Sequence, residues 1–233
     1  MQKGLYMNSS NNQPRRDSRA QAVLWDLDGT LIDSMPYHLE AWNETLSPLG
    51  YHFSLESFKP TIGLRNGEII RDHLKLDRSP AEIEQVLLNK EERYRTIVRE
   101  RGLPLLAGVQ AWLTWLKAHH WRQAIVTSAP RNNVAAIQQA TDLDGFMDTI
   151  ICAEDVERGK PYPDAFLLAA ERLRVQPARC IVFEDAALGL EGARRAGMRT
   201  IGVLTTHEML DADVVVKSLA DLTPEALERI MSR

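Results

Sequence analysis

Six short apolar runs set a rhythm along the chain that restricts its fold more than any other feature. They are Ala22–Trp25, Ala124–Thr127, Thr149–Cys152, Cys180–Phe183, Thr200–Val203 and Val214–Val216. Each has the length of a strand. Between the later runs lie segments with helical periodicity. Val109, Leu113 and Leu116 share one helical face, with Trp112 beside them. Leu167, Leu168, Ala170 and Glu171 belong to a second helix. A third runs from near Ala187 to Gly197, where glycine accepts a left-handed C-cap. Strands alternating with helices predict an α/β fold, a Rossmann-like parallel sheet covered on both faces.

Such sheets bind ligands beyond the carboxyl ends of their strands. Polar residues follow the apolar runs at four places: Asp26, Ser128, Glu154-Asp155 and Glu184-Asp185. Distant parts of the chain can therefore converge on one crevice. The stretch from Ser34 to Leu105 breaks the alternation and reads as helices at about 35–48, 65–77 and 80–100, with Ser79, Pro80 and Glu82 suited to the last helix start. The expected division is a tail at 1–20, an α/β core from 21–34 and 106–233, and an inserted helical cap at 35–105.

Charge narrows the partners. A net charge of -4, with no strongly basic segment beyond a few early arginines, argues against nucleic acid. No apolar run approaches membrane-spanning length. The first twenty residues, rich in Asn, Ser, Gln and Arg, lack the apolar stretch of a secretion signal and read as a disordered tail or an extended translation start. Cys152 and Cys180 lie in apolar runs and are expected as buried free thiols. These features fit a cytoplasmic enzyme.

Asp26-Leu27-Asp28-Gly29-Thr30 follows the first run directly. Two carboxylates two residues apart face one side if the chain stays extended. If it turns, one side chain and one backbone carbonyl can approach the same cation. Gly29 permits a tight turn and Thr30 can anchor it. Hard oxygen ligands of this kind suit Mg²⁺. An ordinary turn or helix cap also fits these residues locally.

The segment resembles the Asp-x-Asp-Gly-Thr/Val signature of the haloacid dehalogenase-like superfamily. The resemblance implies a phosphorylated nucleophile at Asp26 and a general acid/base at Asp28. Haloacid dehalogenases themselves lack the second Asp, so its presence points to phosphate chemistry. Three further corners match the family in order over roughly residues 21–217. Ser128, in Val126-Thr127-Ser128-Ala129, corresponds to the hydroxyl that bonds the transferring phosphoryl group. Lys160, in Gly159-Lys160-Pro161-Tyr162-Pro163-Asp164, corresponds to the lysine that steadies charge on the nucleophile. Asp164 is expected to cap the following helix. Glu184-Asp185 corresponds to the Mg²⁺-binding acidic pair, so the implied metal set is Asp26, Asp28, Glu184 and Asp185.

More narrowly, Ser34, Tyr37-His38 and Trp42 resemble the first cap helix of the beta-phosphoglucomutase-like branch, which places His38 near Asp28 and Trp42 at the pocket border. Arg65, Arg131 and Asn132 are further candidates for contact with the substrate. Members of the mutase group carry a lysine where this chain has Ile62. Its absence favours water as the final phosphoryl acceptor. The expected activity is a Mg²⁺-dependent phosphomonoesterase for a small phosphorylated metabolite, a sugar or polyol phosphate. A sugar-phosphate mutase and a catalytically silent binding or scaffolding protein are the alternatives. The expected assembly is a monomer or weak homodimer.

Overall fold

The computed structural model describes residues 20–232, so the expected tail lies outside the described residues apart from Ala20. Six strands form one parallel sheet: β1 (Ala22–Trp25), β2 (Arg122–Val126), β3 (Thr149–Ile151), β4 (Cys180–Glu184), β5 (Arg199–Val203) and β6 (Val214–Val216). All six apolar runs are strands. The order is β3-β2-β1-β4-β5-β6, so the chain builds outward from β1 in one direction and then returns to build from β4 in the other. Ligand crevices open at such a reversal. Trp25 pairs with Ile125 and with Phe183, which brings the ends of β1, β2 and β4 level.

The helices are α1 (Met35–Leu46), α2 (Leu55–Phe58), α3 (Asn66–Glu68), α4 (Pro80–Arg101), α5 (Val109–Ala118), α6 (Arg131–Ala140), α7 (Asp164–Leu173), α8 (Ala187–Arg195) and α9 (Pro224–Met231). β1 is fully buried on both sides. Its Val23 and Trp25 join Leu113 and Leu116 of α5 and Ile230 of α9 in one apolar cluster. Its Ala22 and Leu24 join Phe166 and Ala169 of α7 and Ala193 of α8 in another. A fully buried leucine contributes about 1.5–3 kcal/mol relative to an exposed one. The sheet is therefore a rigid floor whose strand ends stay in register.

Residues between β1 and β2 up to Arg101 form helices and turns around a separate cluster that includes Trp42, Leu46, Phe53, Phe58, Ile69 and Val86. α4 starts with the expected capping box: Ser79 and Glu82 satisfy each other's backbone N–H groups, and Pro80 occupies the first turn. It stops at Gly102, where φ is 71°. The helix expected over 65–77 is shorter: α3 runs into a π-helical turn, Ile69–Leu74, that Lys75 ends in the left-handed region. The four-residue α2 has no counterpart in the sequence reading, because one turn is too short to show a period. The expected cap role of Asp164 is corrected too. Pro163 holds the N-cap position of α7, and the Asp164 carboxylate instead accepts from the Arg158 guanidinium at 3.0 Å. Both cysteines are buried and free, and burial pushes the Cys152 thiol up to about 11.

Candidate active site

Asp26, the residue after β1, meets Glu184, the last residue of β4, and Asp185 beyond it. All three are buried, and one carboxylate oxygen from each lies within 4.8 Å of the others. Lys160 reaches in from the loop before α7, its Nζ donating to Asp26 Oδ1 at 2.5 Å and Glu184 Oε2 at 2.7 Å. Burial works against the Lys160 charge, but attraction to Asp26 and Glu184 outweighs it and holds the amine above its ordinary pKa. Burial raises Asp26, and Lys160 offsets only part of that. Burial and the neighbouring Asp26 charge also lift Glu184 well above the usual carboxylate range and Asp185 to about 7.

The surroundings hold this cluster in shape. Thr30 donates to Asp185 Oδ1 at 3.3 Å, and Thr206 donates to Asp185 Oδ2. Thr30 thus anchors a metal-type carboxylate as well as its own turn. Thr205 donates to the Gly29 carbonyl. A Cβ on Gly189 would lie 2.1 Å from the Glu184 carboxyl carbon, so α8 passes close to that side chain only because glycine stands there. Three buried carboxyl groups facing one lysine hold their protons more tightly than usual because their full ionisation would leave an uncompensated negative charge. Hard oxygen donors with excess negative charge fit a divalent cation such as Mg²⁺.

Asp28 stands apart from the acidic cluster. The chain does not stay extended after Asp26: the N–H groups of Leu31 and Ile32 both turn back to the Leu27 carbonyl. The Asp28 carboxylate consequently faces His38 of α1, with Nε2 to Oδ1 at 3.4 Å. His38 Nδ1 lies 3.1 Å from Lys90 Nζ. An ammonium donates and cannot accept, so Nδ1 accepts and the ring proton sits on Nε2, aimed at Asp28. The ring stacks on Tyr94 with centroids 3.9 Å apart. Burial would raise Asp28, but hydrogen bonds from His38 and Ser34, aided by the Lys90 charge, hold it below the ordinary carboxylate value.

Above the cluster lies a cavity of about 300 Å³ between the sheet ends and the helical block. Asp26, Asp28, Ser128 and Lys160 line it from below, and His38, Trp42, Arg65, Lys90 and Glu91 line it from above. The Arg65 guanidinium lies against Gly159, where a Cβ would come within 2.6 Å of it. Arg131 and Asn132 are not among the lining residues. Arg131 is turned away onto Asp155 at 2.6 Å, and Asn132 is exposed. Glu154-Asp155, flagged as a corner residue pair, serves this same structural contact: Glu154 accepts from the Arg131 backbone N–H. Lys90, Glu91 and Thr206 had no place in the sequence reading. Lys90 carried a signal, since it falls on the buried face of α4 with Val86, Tyr94 and Ile97.

The profile of the haloacid dehalogenase-like hydrolases matches residues 20–197. The chain is 31% identical over 188 residues to the fructose-1-phosphate phosphatase YqaB of Escherichia coli, covering 79% of this chain and 97% of that protein. It is 30% identical over 213 residues to beta-phosphoglucomutase of Bacillus subtilis, covering 89% and 93%. The structure of CbbY from Rhodobacter sphaeroides in complex with phosphate superposes with a TM-score of 0.81 at 28% identity, covering 90% of this chain and 99% of that one. With the profile spanning most of the chain and the α/β architecture shared, the chain belongs to the haloacid dehalogenase-like hydrolase family, in its beta-phosphoglucomutase-like branch of phosphatases.

Proposed function

We propose that the chain is a Mg²⁺-dependent phosphomonoesterase that hydrolyses a small sugar or polyol phosphate through an aspartyl-phosphate on Asp26. The observation that carries this reading is Lys160, which holds Asp26 inside a cluster of buried carboxylates at the floor of a cavity. Asp26, Glu184 and Asp185 would hold the cation, with the Asp28 backbone carbonyl as a further donor. When bound, it neutralises carboxylate and phosphoryl charge, so that an anionic nucleophile can approach an anionic ester.

In the first step an Asp26 oxygen bonds to phosphorus and the ester oxygen leaves, taking a proton from Asp28. In the second, Asp28 takes a proton from water as that water displaces Asp26 from phosphorus, which releases inorganic phosphate. Lys160 steadies Asp26 as a carboxylate, and Ser128, which lines the cavity, would bond the phosphoryl oxygens. His38 fixes Asp28 through Nε2–H. Because Asp28 sits below its ordinary pKa, it rests as the base of the second step and must gain a proton for the first. Ile62 lines the cavity where a mutase-type lysine would stand. An apolar side chain there supports transfer to water over reorientation of a bisphosphate. No described helix is long and apolar enough to cross a membrane.

A panel of phosphorylated metabolites tests the reading by phosphate release with and without Mg²⁺. Release that requires Mg²⁺ and disappears in Asp26→Asn supports it. Interconversion of sugar phosphates without net release favours a mutase, and binding without turnover favours a silent protein.

A further inference from the structure

We propose that Glu91 makes this enzyme selective for phosphate esters whose non-reacting end is uncharged and hydroxylated, and that it excludes bisphosphates. The inference rests on the phosphatase reading above and follows from where charge lies around the cavity. Glu91 lines the cavity, yet is only 8% exposed. Its carboxylate is held from three elements: Lys90 Nζ of α4 donates at 2.8 Å, and the amide nitrogens of Asn66 in α3 and Asn133 in α6 also donate to it. Asn133 is itself fully buried and is fixed by Arg95, which donates to its oxygen at 2.9 Å. A carboxylate with this many fixed donors cannot swing away from an approaching anion. Burial would raise it, but the Lys90 charge together with the hydrogen bonds from Lys90 and Asn133 brings it below the ordinary carboxylate value.

Among the described residues that line the cavity, no unpaired cation stands beside Glu91. Lys90 is committed to Glu91 and to His38. Arg131 is outside the cavity on Asp155. Arg65 leans on Gly159, the neighbour of Lys160, and so belongs with the loop that serves the reacting group. A phosphate dianion brought to this end would meet the more exposed member of the Lys90–Glu91 pair, a fixed carboxylate in a partly desolvated site where repulsion is poorly screened. A hydroxyl meets the reverse situation. Glu91 Oε1 accepts from Asn66 and Lys90, and Oε2 from Asn133, which leaves an acceptor direction on Oε2. Asn66 also lines the cavity, and with its nitrogen bound to Glu91 its amide oxygen is the second acceptor. Two acceptors beside an apolar wall of Trp42 and Ile62 suit the hydroxyls and carbon face of a sugar or polyol.

The test is the ratio of kcat/KM for a hexose monophosphate to that for the bisphosphate of the same hexose, read by phosphate release. The wild type is expected to favour the monophosphate by about tenfold or more, and Glu91→Gln to lower that ratio by about tenfold. Glu91→Asp, which keeps the charge, is expected to keep the preference. Removing the charge also loosens His38, a loss common to both substrates, and releases Lys90 toward a second phosphate, which lowers the ratio in the same direction as the lost repulsion. A wild-type ratio near one, or an unchanged ratio in folded Glu91→Gln, overturns the proposal. If Glu91→Gln does not fold, the wild-type ratio alone decides. Absence of phosphate release from every ester refutes the phosphatase reading instead, a separate outcome from hydrolysis without discrimination.

Discussion

Replacing Gly29 by alanine tests why the acidic motif needs glycine. Gly29 has φ of +89°, and an added Cβ would lie 2.3 Å from Asp185 Oδ2 and 2.8 Å from its Cγ. The left-handed conformation costs a residue with a side chain about 1–2 kcal/mol. Asp185 cannot yield easily, because Thr30 and Thr206 hold both of its oxygens and it is 1% exposed. Overpacking of this kind adds about 1–3 kcal/mol. The sum, about 2–5 kcal/mol, corresponds to a fall of about 4–20 °C in Tm for a domain of this size. Gly197 supplies the control. Its φ is +74°, but a Cβ there meets nothing within 4 Å, so Gly197→Ala carries only the backbone cost. Thermal unfolding by circular dichroism, with EDTA and with Mg²⁺, separates the terms. Gly29→Ala should fall further than Gly197→Ala and lose most of its stabilisation by Mg²⁺, since Asp185 is displaced. Equal Tm values for the two variants, with the same response to Mg²⁺, would refute the reasoning.

Two further outcomes follow from the ionisable groups. In metal-free protein Asp185 is raised to about 7 from an ordinary 3.8, chiefly by burial, so between those values the folded state holds a proton that the unfolded state has lost. Stability in EDTA should therefore fall as pH rises through that window, and Asp185→Asn or Mg²⁺ should flatten the slope; urea unfolding across pH reads this, and an upward slope contradicts it. His38→Ala removes the partner that holds Asp28 low, so the basic limb of the kcat/KM profile, where Asp28 must still carry the proton it gives the leaving oxygen, should move to higher pH, while loss of its positioning lowers the plateau by about tenfold or more. An unmoved limb would show that His38 does not set Asp28.

The sheet was legible because each buried strand left an uninterrupted apolar run that stops where polar residues begin. Once those strands are parallel and level, the residues after them must share one end. That is why Asp26, Ser128 and Glu184-Asp185 could be named from the sequence. Lys160 was legible through the resemblance of Gly159-Lys160-Pro161-Tyr162-Pro163-Asp164 to the family's motif. The direction of Asp28 was not, because a two-residue spacing implies one face only in an extended chain, and here the backbone turns at Leu27. Arg131 could not be separated from Arg65 by residue type; only the position of Asp155 shows which guanidinium is already held. Thr206 follows β5 with no local pattern, and its role exists only through contact with Asp185. Lys90 interrupts a helical apolar stripe, a pattern that reads as a solvated exception until His38 and Glu91 are seen beside it.

The central claim is that Asp26 takes the phosphoryl group before water does. The direct measurement is to quench the enzyme during turnover of a hexose or hexitol phosphate with Mg²⁺, trap the acyl phosphate chemically, and map the modified peptide by mass spectrometry. The account predicts modification at Asp26, and neither modification nor phosphate release in Asp26→Asn. Phosphate release that persists in Asp26→Asn, or a trapped group on any other residue, would contradict it.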